Sequence, residues 1–152
     1  MPLSVREQCL SAFFDLFAGL TAYPLKKRMP NWIISTSELP ALVQIDGGTD
    51  PLGGDDVSSG FGGTMRIAIR VTILAGLRAQ STDDLGERLS EARADIMLAG
   101  ANKVLLAGNA WTQWTGDDDP IQLVEQGAPP AAVYPIAFTI HTTQAEGDPF
   151  SF

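Results

Sequence analysis

The chain is poor in several residue types, and each shortage removes a class of function. It has one cysteine, Cys9, so no internal disulfide can form and a thiolate metal site is excluded. It has one histidine, His141, which leaves little material for a His-based metal centre or an acid–base relay. Charged residues make up only 18% of its 152 residues, against about 25% in an average soluble domain. Lys and Arg number 10 against 18 Asp and Glu, a net charge of -8. Such a deficit of cations excludes a duplex nucleic-acid binder, which needs Lys and Arg against phosphates. No run of 18 apolar residues occurs, so no transmembrane helix is expected. The start, Met1-Pro2-Leu3-Ser4-Val5-Arg6-Glu7, lacks a basic segment followed by an unbroken apolar one, and no signal peptide is expected. A nucleophile elbow, a phosphate-binding glycine loop and an HExxH pair are also absent.

Against these shortages stands an apolar share of 45%, enough for a true core. The length fits a single domain over residues 1–152. Ser4 and Glu7 form a capping box, and Val5, Cys9, Phe13, Leu16 and Leu20 recur at helical spacing. The spacing predicts a helix over 5–20, with Phe13, Phe14 and Phe17 supplying more apolar area than one stripe needs. Phe14 and Phe17 are therefore candidate contacts to something beyond the sheet. Pro24 and Pro30 bracket Lys26-Lys27-Arg28, which reads as a basic loop able to meet an acidic patch on a neighbour. Asn31 to Ser35 reads as a short strand, and Leu42 to Ile45 as a better one.

From Asp46 to Gly63 the chain holds seven glycines, four aspartates and one proline in eighteen residues. That composition predicts a long flexible loop suited to ordering on a partner. Asp46, Asp50, Asp55 and Asp56 are oxygen donors of the kind calcium takes, but their spacing does not fit an EF-hand. Phe61 is an apolar anchor in the same stretch.

Met65 to Leu74 alternates strictly and predicts a strand with one β-branched face and one face carrying Arg66 and Arg70. A second helix is expected from Ser81 or Thr82 to Gly100. Its stripe is Leu85, Leu89, Ala92, Ile96 and Ala99, and Glu87 and Glu91 are placed to meet neighbouring arginines. Ala101 to Gly116 is ambiguous, Asp117 to Pro120 reads as a turn, and Ile121 to Glu125 as a weak strand. Val133 to Thr143 predicts the last strand, with Pro135 marking an edge or irregularity. Gln144 to Phe152 reads as a mobile tail whose Phe150 and Phe152 dock on a neighbour. These elements make an α+β domain: a mixed, largely antiparallel sheet of about four to five strands with two amphipathic helices on one face.

His141 reads as a solvated strand residue and Cys9 as a small core residue; no nucleophile, base and oxyanion donor assemble. No catalytic residue, cofactor or metal is assigned.

The order of elements resembles that of the tail terminator, or tail-completion, proteins of long-tailed bacteriophages. The matching parts are the helix from Val5 to Leu20, the strand Leu42-Val43-Gln44-Ile45, the Gly/Asp loop, MRIAIRVTIL, TDDLGERLSEARADIMLAG and VYPIAFTIHTT. The likeness covers residues 4 to 143. It implies a non-enzymatic virion protein, assembled in the host cytoplasm, that forms a hexameric ring. Such a ring caps the tail tube, stops its polymerisation and offers a surface to the head connector and neck proteins. It implies no membrane partner and no sequence-specific nucleic acid. Another head–tail joining protein, a connector adaptor or head-closure component, shares much of the pattern. A small ligand-binding α+β domain using residues 46–56 is the alternative of a different class.

Overall fold

A computed structural model describes residues 2–29, 36–52, 63–145 and 147–152. Its elements are α1 (Val5–Asp15), β1 (Leu25–Arg28), β2 (Ala41–Leu52), β3 (Thr64–Arg78) and α2 (Thr82–Gly100). They continue with β4 (Val104–Leu105), β5 (Ala110–Asp117), β6 (Ile121–Leu123) and β7 (Ala131–Ala145). The strands form one sheet in the order β1-β2-β3-β7-β5-β4, with β6 also pairing β7. Only β1 and β2 are parallel; the other pairings are antiparallel. The class is therefore α+β with a mixed sheet, as the pattern predicts.

Among the described residues, seven strands exceed the four to five expected. β6 falls on the expected weak strand Ile121 to Glu125, whereas β1, β4 and the eight-residue β5, which lies in the ambiguous stretch 101–116 and the expected turn, are additional. β1 and β4 are four and two residues long and carry no usable alternation; neighbouring strands hold them.

The centre is the β3–β7 pair. Ile69, Val71 and Ile73 stand opposite Ile140, Phe138 and Ile136, and all six are buried. Residues directly opposite in a ladder share a face, so these side chains form one apolar surface. Val5, Cys9, Leu10 and Phe13 of α1 and Leu85, Leu89, Ala92 and Ile96 of α2 join them in a single cluster. Both helices thus cover the same face. Phe138 sits against Phe13 at 5.3 Å between ring centroids, and Phe13 meets Phe17 edge-on at 5.2 Å.

Two helix expectations change. Helix α1 stops at Asp15 and the chain turns through residues 16–19, though Phe17 stays buried against α2. Half of the capping box forms: the Ser4 hydroxyl accepts the Glu7 N–H at 3.2 Å. The Glu7 carboxylate turns instead to Arg28. In α2, Ser81 caps the first turn, and Arg88 pairs with Asp84 rather than with Glu87 or Glu91. At its other end Gly100 lies between Phe17 and Phe138, where a Cβ would come within 3.1 Å of both rings.

The glycine-rich stretch is also corrected. Strand β2 runs through Asp46 to Leu52, crossing a bulge between Asp46 and Thr49. A Cβ at Gly47 would lie 2.7 Å from the Arg70 carbonyl oxygen, and one at Gly48 2.6 Å from the Arg70 guanidinium. These glycines serve close packing at a bulge, not chain freedom. Residues 53–62 of the expected loop, and the expected strand at 31–35, lie outside the described residues.

Pro135 is inside β7 rather than at its start, with its backbone towards the gap between β5 and β6. There its missing N–H breaks no ladder bond; its carbonyl accepts from Asp118 N at 3.1 Å. The expected tail begins later. Gln144 and Ala145 belong to β7, and Ala145 N donates to the Ser151 carbonyl at 2.7 Å. Val5 N donates to the Pro149 carbonyl at 2.8 Å, and Phe152 packs on the chain's own core.

Candidate assembly surface

The basic run Lys26-Lys27-Arg28 is strand β1, not a loop. Parallel pairing to β2 places Arg28 beside Gln44, on the helix-covered face. There Arg28 bonds both Glu7 oxygens, at 2.5 and 2.8 Å, and the Asp46 carboxylate, at 2.7 Å. Asp46 also accepts from Gln44 Nε2 at 2.9 Å, and that nitrogen donates to the Leu10 carbonyl at 3.0 Å. The chain Glu7–Arg28–Asp46–Gln44 ties α1 to β1 and β2. Arg6 adds a bond from Nη2 to the Gly47 carbonyl at 2.6 Å. The bidentate bond from Arg28 holds the Glu7 carboxyl below its ordinary range, against the opposing effect of burial. The same bond raises the Arg28 pKa.

These contacts reassign several candidate residues. Arg28 and Asp46 hold the fold together. Lys26 is partly buried and donates from Nζ to the Tyr23 carbonyl at 2.9 Å; Lys27 is also partly buried. Phe17 is 1% exposed, so it is core and not a contact for a neighbour. Phe14 is only partly buried. Asp55, Asp56 and Phe61 lie outside the described residues.

The opposite face of the sheet carries Arg66, Arg70 and Asp50. Arg70 meets Asp50 at 3.2 Å, both largely exposed. Trp111 and His141 are directly opposed across β5 and β7 and stack at 4.2 Å with rings 17° apart. His141 Nε2 meets Gln113 Oε1 at 2.9 Å. Partial burial, then the Arg66 charge, lowers its pKa, so the ring is neutral at pH 7. A Cys9–His141 pair cannot form. Cys9 faces Thr142, and adjacent residues of a strand point to opposite faces, so the sheet stands between them. Burial also pushes the Cys9 thiol up to about 11. Among the described residues no group of three or more metal-ligating side chains comes together.

One polar cluster escaped the sequence reading. Asp117, read as part of a turn, ends β5 and gathers three donors: Arg93 Nε at 2.5 Å, Trp114 Nε1 at 2.7 Å and Tyr134 OH at 3.1 Å. The Arg93 guanidinium also lies over the Trp114 ring, 5.2 Å from its centroid. Burial opposes the Asp117 charge, but these three donors outweigh it and its pKa falls. The cluster fastens α2 to the β5 end of the sheet. Arg93 and Asp117 are 24 residues apart, so no local pattern announces it.

The exposed large apolar residues include Val104 on β4, Trp111 on β5, Ile121 on β6 and Val124 just beyond it. Val104 is 70% and Val124 92% exposed. They follow the side of the sheet beyond β7, remote in the strand order from β1. No helix is long and apolar enough to cross a membrane among the described residues. In comparisons with known proteins, the chain matches no family model and no curated protein.

Proposed function

We propose that this protein is a structural subunit of a long-tailed phage virion, forming a ring that caps the tail tube. In that role it arrests tube polymerisation and presents a docking surface to the head connector. The observation that carries the reading is the one-sided architecture. Both helices cover one face of the sheet, while Val104 on β4, Trp111 on β5, Ile121 on β6 and Val124 just beyond it stay exposed. Exposed apolar side chains of this size offer contacts to neighbours. A ring, with six the expected order, covers such a surface by a head-to-tail contact that closes on itself. The net charge of -8 suits a ring around a DNA path, since like charges repel and the DNA passes without sticking.

The described half of the acidic stretch speaks against a cation site there. Asp46 is ion-paired with Arg28 and Asp50 with Arg70. Sedimentation or mass photometry of the purified chain, alone and with tail tubes, tests the ring. A hexamer, or a ring formed only on tubes, is expected. A persistent monomer that leaves tube elongation unaffected would overturn the proposal. Arrest of tube elongation in vitro separates a tail terminator from a connector adaptor or head-closure protein, which does not arrest it.

A further inference from the structure

A cavity of about 410 Å³ lies between α2 and the segment that leads out of β3. Its floor is apolar: Tyr23, Leu77, Ala79 and Ala92 line it, and all four are buried. Its rim is charged, with Glu91 and Asp95 on one helical face of α2 and the arginines Arg78 and Arg88 beside them.

Of the two arginines only Arg88 has a carboxylate partner among the described residues. Arg88 Nε donates to Asp84 at 3.2 Å, and Arg78 Nη1 reaches the Thr36 carbonyl at 3.4 Å. Glu91 and Asp95 have no ion-pair or hydrogen-bond partner for their side chains among the described residues. Tyr23 supplies a second, independent feature. It is only 2% exposed, and its hydroxyl has no hydrogen-bond partner among the described residues. Its oxygen is not sealed in the interior either, since Gln44 Oε1 is the enclosed side-chain atom without a partner among them. Tyr23 is one of the residues that line the cavity. Burial, with the nearby charges of Asp95 and Glu91, pushes that hydroxyl up to about 12, so both carboxylates sit close to it and it stays protonated at pH 7. An apolar floor ending at two carboxylates and a phenol is matched by a guest with a methylene stem and a cationic head.

We propose that this cavity receives a basic side chain, an arginine or lysine presented by a polypeptide. The stem lies on Tyr23, Leu77 and Ala92, and the head sits between Glu91 and Asp95. Charge-assisted hydrogen bonds favour such a head. Long basic side chains place their stems on apolar surface in this way. A free polyamine fits less well, because its second ammonium would lie on the apolar floor, where an unpaired charge is costly. The site stands apart from the ring proposal, and its test reads the chain whatever its assembly state.

The experiment is an NMR titration of the full chain with N-acetyl-arginine methylamide, alongside the norleucine analogue and spermidine. Saturable shifts at the Leu77, Ala79 and Ala92 methyls are expected with the arginine compound alone. The double variant Glu91→Gln, Asp95→Asn should weaken binding by about tenfold or more, and Tyr23→Phe by about threefold, with signals elsewhere unchanged. Both acids are exposed helix residues, so the double variant folds. Three results would overturn the proposal: no saturable shift, equal binding of norleucine or spermidine, or full binding by the double variant.

Discussion

The two faces of the sheet are built from the same long strands yet answer to different demands. On the helix-covered face, β3 and β7 present Ile69, Val71, Ile73, Ile136, Phe138 and Ile140, and both helices close over them. Charges there are few and fully partnered, as Arg28 is between Glu7 and Asp46. On the other face the same strands present Arg66, Arg70, Thr139 and His141, and the Arg70–Asp50 pair is more than half exposed on both sides. Alternation along a strand thus separates buried from exposed positions residue by residue. One face supplies most of the buried apolar area; the other holds Arg66 and Arg70 exposed.

Substitution tests this contrast most strongly at adjacent positions of β7. Phe138→Ala should cost about 3–5 kcal/mol in denaturant unfolding, because it empties the site between Phe13 and Gly100. Thr139→Ala, one residue along and on the other face, should change stability by less than about 0.5 kcal/mol. Comparable losses at both positions would end the distinction between the faces.

Gly100→Val comes next. A Cβ there already meets Phe17 and Phe138 at about their contact limit, so the branched side chain should cost about 1–3 kcal/mol by thermal or denaturant unfolding. A neutral result would mean the aromatic pair yields easily.

Arg28→Ala should cost about 1–3 kcal/mol, less than for a fully buried pair because Arg28 and Glu7 keep some exposure. It should also change the pH profile. The Glu7 carboxyl is held below its ordinary value of 4.5, so its contribution is present above that value and lost as pH falls through the lower folded-state value. Stability of the parent chain measured from pH 6 to pH 2 should therefore decline more steeply than that of Arg28→Ala. Parallel profiles would show that the Arg28–Glu7 contact contributes nothing to folding.

The smallest effect belongs to the open face. Asp50→Asn, which loosens the exposed pair with Arg70, should shift stability by at most about 1 kcal/mol and less at high salt. A larger loss would show that this face, too, is structurally committed.

The parts legible in the sequence were those with a local period. Met65 to Leu74 alternates, and the structure extends that strand to Thr64–Arg78 with Ile67, Ile69, Val71 and Ile73 buried as expected. The α2 stripe and its Ser81 cap were equally visible. Lys26-Lys27-Arg28 was not legible as a strand, because it has no apolar face and is held by β2, sixteen residues later in register. Gly47 and Gly48 looked like loop for a related reason: their packing against Arg70 exists only once β2 and β3 are side by side. The candidate surface residues divide the same way. Arg66 and Arg70 followed from alternation and lie on the open face, whereas Phe17 looked like surplus apolar area until its partner Gly100 was in place.

By itself, then, the sequence determined two amphipathic helices, the long strands β3 and β7 with their inward sides, and an acidic composition. All of these are set by composition or by periods of two and 3.6 residues, which are properties of neighbours along the chain. Tertiary structure alone decided the strand order, the strands β1 and β4, the bulge in β2 and the pairing of charges. It also brought Tyr23, Glu91 and Asp95 to one cavity. Those features join residues far apart in sequence, so their energies arise only when the chain has closed around them.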